Sequence, residues 1–262
     1  PTAEQQRQVQ HYFVGTLSLD TYYSAAQYEA DVMRLTHELF LSHDTLLLSG
    51  GSMLYIDAVC NGIDDIPTIS DSVRANMKLR LAGEGLESLI EELRTLDPEY
   101  YAIVDKKNTR RVVHALEVCH MSGRPYSSFR TREVKKRPFR IIKIGLNRPR
   151  EELFERINRR VEQMIQDGLL DEVRRLYAHR DKNALNTVGY KELFHVLDHE
   201  WPLDMAKERI KKNTRVYAKK QLTWFLRDGA VHWFHPDDIE NIKRFLNLML
   251  HEETLEQAMA QA

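Results

Sequence analysis

Residues 45–59, TLLLSGGSMLYIDAV, decide the fold class. Thr45-Leu46-Leu47-Leu48-Ser49 is a short unbroken apolar run, too short for a helix and typical of a strand covered on both faces. Gly50-Gly51-Ser52 offers a turn, and Met53, Leu54, Ile56 and Val59 then recur at helical spacing. Strand, glycine turn, helix: this predicts the start of an α/β unit. Upstream, Ser24 stands as N-cap to a helical stripe of Ala25, Ala26, Tyr28, Val32, Leu35, Leu39 and Phe40. Downstream, residues 62–67 read as a linker. From 70 to 130 the pattern is helical and charge-rich, with Asp71 and Asp97-Pro98 as start signals. No strand interrupts that stretch, which predicts an all-helical insertion. Phe139 to Ile144 alternates apolar and polar and predicts a return to the sheet. A long helical stretch over 150–178 broken at Gly168, helices near 189–198 and 203–227, a strand at 230–234 and a peripheral helix beyond Pro236 complete the reading. The expected domains are a discontinuous α/β core, 1–65 with 139–262, around a helical insertion, 66–138.

The composition supports a packed core: 262 residues, 42 % hydrophobic and 29 % charged. Thirty-eight Lys and Arg against 39 Asp and Glu leave a net charge of −1, so only the distribution of charge can point to a polyanion. Cys60 and Cys119 form neither a CxxC pair nor a His-associated cluster, which excludes a disulfide scaffold and a zinc finger and fits a reducing compartment. No apolar stretch approaches the ~20 residues of a membrane span, and PTAEQQRQVQ lacks the apolar core of a signal peptide. The chain opens on Pro1 rather than Met, which reads as processing or a fragment. No lysine follows a glycine, so there is no Walker A loop; HExxH and a nucleophile elbow are absent too, and Gly83-x-Gly85 is no dinucleotide fingerprint. Asp64-Asp65 reads as a solvated pair in a linker.

Half of the 38 bases fall in three windows. They are 106–114 (Lys106, Lys107, Arg110, Arg111), 130–143 (Arg130, Arg132, Lys135, Lys136, Arg137, Arg140, Lys143) and 207–227 (Lys207, Arg209, Lys211, Lys212, Arg215, Lys219, Lys220, Arg227). In the third, Lys207, Lys211, Arg215 and Lys219 repeat at i, i+4, so they share one helix face and repel each other by a few tenths of a kcal/mol per pair. A phosphate backbone would neutralise that row; a solvated face, or acids from elsewhere in the fold, would do so equally. Trp224-Phe225 beyond it suits unstacked bases as well as a core.

On the helix starting near Glu151, the apolar stripe is Leu153, Phe154, Ile157, Val161, Met164 and Ile165. Arg160 is expected along its flank, turned inward rather than toward water, and Arg159 on the solvent side. A guanidinium so placed snorkels, pairs with a carboxylate or binds an anion. Gly50-Gly51, before a helix N-terminus, is a second anion candidate.

These residues resemble the tRNA dimethylallyltransferase (isopentenyltransferase) family. The likeness rests on Tyr23-Ser24-Ala25-Ala26 (YSAA), Leu48 to Tyr55 (GGTMLY in the family), Asp97-Pro98 with Arg111 to Val118 (DP…RxxRALEV), and Arg156 to Val161 (RIxxRV). It continues through Gly168-Leu169, Val188 to Glu192 (IGYKE) and Thr214 to Phe225 (TRxYAKRQLTWF), in order from about 11 to 233. The resemblance implies a P-loop-NTPase-like α/β core with an all-helical insertion. It implies transfer of a dimethylallyl group from dimethylallyl diphosphate to N6 of the adenosine 3′ to the anticodon, with magnesium, in the cytoplasm, by a monomer that meets no membrane. By the same token Arg160 holds the diphosphate with Gly50 and Gly51. Ser52, Arg74, Arg110, Arg111, His114, Asn186, Val188, Gly189, Tyr190, Lys191, Lys219, Lys220, Gln221, Thr223, Trp224 and Phe225 contact the tRNA anticodon stem-loop. The family's GPTxxGKT loop and DSxxxY segment are not in the sequence. They would supply most of the magnesium site and the general base, so the expectation is an inactive fragment of the enzyme with no metal ligand of its own. Ser52 stands for Thr, His114 for Arg, and Leu226 where Arg is usual. Two other functions fit the residues: a non-catalytic RNA-binding module, and a prenyltransferase acting on free adenine nucleotides.

Overall fold

A computed structural model describes residues 1–131 and 133–260, with side chains described as far as 251, so Arg132 lies outside. In chain order come α1 (Ala3–Gln8), α2 (Ala25–Leu39), α3 (Met53–Asn61), α4 (Asp71–Leu96), α5 (Pro98–Ile103) and α6 (Thr109–Ser122). There follow β1 (Lys143–Leu146), α7 (Arg150–Gln166), α8 (Leu169–Leu176), α9 (Tyr190–Leu197), α10 (Leu203–Phe225), β2 (Val231–Phe234) and α11 (Ile239–Ala260). The fold is α/β and dominated by helices. It divides into two compact units. One comprises Pro1–Tyr23, Gly51–Met53 and Arg140–Ala262; the other comprises Ser24–Gly50 and Leu54–Phe139. The second unit thus takes in 24–50 and 54–65 besides the stretch expected as the insertion.

In the second unit the N-caps work as their residue types dictate. Ser24 Oγ accepts from Gln27 N–H at 3.2 Å while Gln27 Oε1 accepts from Ser24 N–H at 2.7 Å, a reciprocal capping box on α2. Ser70, not Asp71, caps α4, and Asp71 falls in its first turn. α4 kinks at Gly85, where φ is 81°. The core joins Met77, Leu89 and Leu93 of α4, Tyr100 of α5, Val104, and Val112, Ala115 and Leu116 of α6; each fully buried apolar side chain contributes about 1.5–3 kcal/mol. Asp97 is fully buried, and its carboxylate accepts from Tyr100 N–H at 2.9 Å, Ser127 N–H at 2.7 Å and Ser127 Oγ at 2.7 Å. One residue therefore caps α5 and pins the 3₁₀ turn at Tyr126–Phe129. Arg137 and Glu29 form a buried pair at 2.6 Å, each side chain 8 % exposed, and Arg137 also donates to the carbonyls of Ala58 and Val59.

The expected strand at 45–49 is not formed: the segment is irregular and Leu47 is 92 % exposed. A central strand needs ladder partners for its N–H and C=O groups. Among the described residues the sheet consists of β1 and β2, so the leucine run has none.

In the first unit, β1 and β2 pair in parallel, Lys143 opposite Val231 and Gly145 opposite Trp233. The strand expected over 139–144 begins later because its partner spans only 231–234. A β-carbon on Gly145 would lie 2.5 Å from the Trp233 ring, so the close approach requires glycine. The connection between the parallel strands carries α7 to α10, which pack on Val161, Leu169, Val173, Leu185, Leu193, Phe194, Ala206 and Ile210. The predicted break at Gly168 falls between α7 and α8.

Candidate functional site

Three of the predicted RNA contacts meet at the start of α6. Asn108 caps the helix, its side-chain oxygen accepting from Arg111 N–H at 3.2 Å. Val112, Ala115, Leu116 and Cys119 anchor the buried face, which leaves Arg110 and Arg111 exposed and His114 half-buried. These three, with Tyr100, Ile103, Val104, Tyr126 and Arg130, line a cleft of about 640 Å³. Its lining holds three guanidinium groups and no carboxylate among the described residues. The Tyr100 and Tyr126 rings meet edge to face at 4.7 Å, and the His114 ring stands edge-on to Tyr126 at 5.6 Å. The Arg130 guanidinium lies 5.1 Å from the Tyr100 centroid and 5.8 Å from that of Tyr126. Burial pushes the Tyr126 hydroxyl above its ordinary pKa, so the ring stays neutral. Such a mixture of forked cations and aromatic rings binds phosphate and stacks bases. Arg74 lies on α4, half-buried, and does not line this cleft.

The second group surrounds α10. Gln221 Nε2 donates to the carbonyl of Gly51 at 2.6 Å, and a β-carbon at Gly51 would sit 2.3 Å from that nitrogen. The structure therefore brings together two residues that the sequence alone could not connect. Ser52 is exposed beside Gly51, and Gly50 belongs to the other unit. Lys219, Lys220 and Thr223 are exposed, Trp224 and Phe225 half-buried, and the Arg227 guanidinium lies 5.4 Å from the Trp224 centroid. Thr223 Oγ1 donates back to the carbonyl of Lys219 at 2.9 Å.

At the start of α9, Gly189 N–H donates to the buried Glu192 at 2.8 Å, and Glu192 also accepts from Asn213 of α10 at 2.6 Å. Glu192 thus ties this predicted contact segment to the basic helix. Asn186, Val188 and Lys191 are exposed. Tyr190 is half-buried and donates to Glu172; burial first, then that carboxylate, push its hydroxyl up to about 12.

The cationic row on α10 requires correction. Lys207 and Lys211 bond to Glu162 of α7 at 2.8 and 2.6 Å, and Arg215 donates to Asn158 at 2.5 Å. Glu162 from α7, with Asp204 and Glu208 of α10 itself, neutralises its first half, and the Glu162 bonds pack α10 on α7. Glu162 holds both ammonium groups above the ordinary lysine pKa and is itself held below the usual carboxylate range. Lys212, Lys219 and Lys220 are exposed and have no carboxylate partner among the described residues. The 130–143 window is also largely structural: besides Arg137, Lys135 pairs with Asp65 at 2.8 Å and Lys143 with Asp228 at 2.6 Å. Asp64, expected to be solvated, accepts from Thr131 Oγ1 at 3.0 Å.

The expectation that Arg160 turns inward from the stripe's flank rather than toward water is not met: it is exposed, while Ile157 and Val161 beside it are buried. From the flank its long stem carries the charged head into solvent. Among the described residues it has no hydrogen-bond or ion-pair partner, so its guanidinium is open to an anion.

Among the described residues magnesium finds no fitting site. The one described cluster of metal-ligating type, Glu152, His235 and Asp237, already holds a cation: Arg148 bonds to both carboxylates. No helix of the described residues is long and apolar enough to cross a membrane.

Sequence reasoning missed Tyr100, Tyr126 and Arg130. For Tyr126 and Arg130 the signal was the interleaving of basic and aromatic residues in RPYSSFR, 124–130; Tyr100 carried none.

Residues 1–228 match the family described as IPP transferase. The chain is 59 % identical to tRNA dimethylallyltransferase 1 of Phocaeicola vulgatus over 96 % of its length and 84 % of the relative's. It is 57 % identical to the protein of that name in Bacteroides thetaiotaomicron, over 95 % and 80 %. Among solved structures it is similar to the full-length tRNA isopentenylpyrophosphate transferase of Bacillus halodurans, with 31 % identity, a TM-score of 0.67, and 98 % and 84 % of the two chains covered. Matches this extensive give no support to the expectation of an inactive fragment. The chain belongs to the IPP transferase family of enzymes.

Proposed function

We propose that this protein transfers a dimethylallyl group from dimethylallyl diphosphate to N6 of the adenosine 3′ to the anticodon of tRNA. The observation that carries the reading is the likeness, at 57–59 % identity along nearly the whole chain, to relatives named for that reaction. The cleft of Arg110, Arg111 and His114 and the unshared lysines Lys219 and Lys220 support it, because an RNA backbone needs cations not already neutralised within the fold. In the reaction N6 attacks the allylic carbon, the bond from that carbon to the diphosphate oxygen breaks so that the electron pair leaves with the diphosphate, and N6 gives up its proton to water. Arg160 and Gly51, which belong to the same unit, would stabilise the charge left on the diphosphate. An adenosine in a single-stranded loop leaves its stack at a cost of a few kcal/mol. With this reading go a monomer and a cytoplasmic tRNA pool.

The test is transfer of labelled dimethylallyl from its diphosphate by the purified protein, offered tRNA and AMP in competition. Label on the adenosine next to the anticodon is the expected result. Label on AMP alone would move the assignment to free nucleotides, and RNA binding without transfer would leave a binding module.

A further inference from the structure

Among the residues lining the cleft at the start of α6, the tRNA reading gives no role to Tyr126 and Arg130. We propose that this cleft takes one unstacked nucleotide of the RNA, its phosphate on Arg110, Arg111 and Arg130 and its base against the Tyr126 ring. The proposal rests on the tRNA reading and deepens it.

Three observations carry it. The volume, about 640 Å³, suits a small ligand rather than a helical face. Arg130 lies over two aromatic rings rather than beside an acid, and among the described residues no carboxylate bonds to it. Ring contact of this kind orients a guanidinium while its N–H edge stays available to a phosphate. The turn that presents both residues is fixed from below: Asp97 binds the N–H and the hydroxyl of Ser127, between Tyr126 and Arg130. The cleft is therefore set before any ligand arrives. The aromatic and arginine surfaces together accept a base of any identity, because every base has a face to stack.

Binding of tRNA is measured across a salt titration for the wild type, Arg130→Gln and Tyr126→Leu. Arg130→Gln should weaken binding about fivefold and flatten the log–log salt slope by up to about 0.7, the whole of one single-strand phosphate. Tyr126→Leu should weaken binding about tenfold and leave the slope unchanged, since a stacking surface is lost and no charge. Arg130→Gln leaves the Asp97–Ser127 bonds in place and decides the matter even if the Tyr126 variant fails to fold. If the wild type binds no tRNA, the underlying reading fails. If the wild type binds and a folded Arg130→Gln matches it in affinity and slope, the proposal alone is overturned.

Discussion

Arg160 shows how far a helical wheel reaches at a single position. The wheel places its Cα on the flank of a stripe whose centre, Ile157 and Val161, is buried, but it does not say where a long side chain ends. The head group is exposed and uncommitted, so its removal should spare the fold and cost turnover. Arg160→Ala should lower kcat about 10²-fold while tRNA affinity stays unchanged, read by steady-state kinetics and filter binding. Equal losses of both would contradict the diphosphate role. The two close-packed glycines should differ in their response. At Gly51 the clashing atom is the far end of Gln221, which can swing away, so Gly51→Ala should cost about 1 kcal/mol, the bond to the Gly51 carbonyl. At Gly145 the obstacle is the Trp233 ring, and Gly145→Ala should cost about 1–3 kcal/mol through overpacking, as read from urea midpoints.

Among the elements, α10 divides into a structural half and a free half. Glu162 draws Lys207 and Lys211 onto α7, whereas Lys219 and Lys220 face solvent. Spacing marks these halves only in part: Asp204 and Glu208 stand three residues before Lys207 and Lys211, but the acid that joins both lysines to α7 lies 45 residues upstream of Lys207. The pairing carries a pH signature. Glu162 has a lowered pKa when folded, so its contribution is complete above the unfolded carboxylate pKa of about 4.3 and disappears as pH falls through the folded value. The stability gap between wild type and Glu162→Gln should therefore close on acidification from about pH 6 to pH 3, followed by thermal melts. A gap that widens there would remove Glu162 from the packing of α10. The strand at 45–49 fails for a related reason: composition announces a strand, but only a neighbouring ladder makes one.

Across the whole molecule, local signals were legible and long-range pairings were not. Ser24, Asp97-Pro98 and Gly168 mark helix ends correctly, because caps and breaks act within a few residues. The parallel pairing of β1 with β2, the Glu29–Arg137 pair and the Gln221–Gly51 bond join residues 88 to 170 positions apart, beyond any periodicity. Charge windows located the basic segments but could not tell structural cations from free ones, and for the same reason Arg130 went unassigned. The sorting of cations is the central claim, and the salt dependence of tRNA binding measures it most directly. Replacing Arg110, Arg111, Lys219 and Lys220 together by Gln should flatten the log Kd against log salt slope by up to about 2, at roughly 0.7 for the one cleft phosphate and for the phosphate at each lysine. Replacing Lys207 and Lys211 by Gln should leave the slope where it was. A slope unmoved by the first set, or lost with the second, would contradict the account.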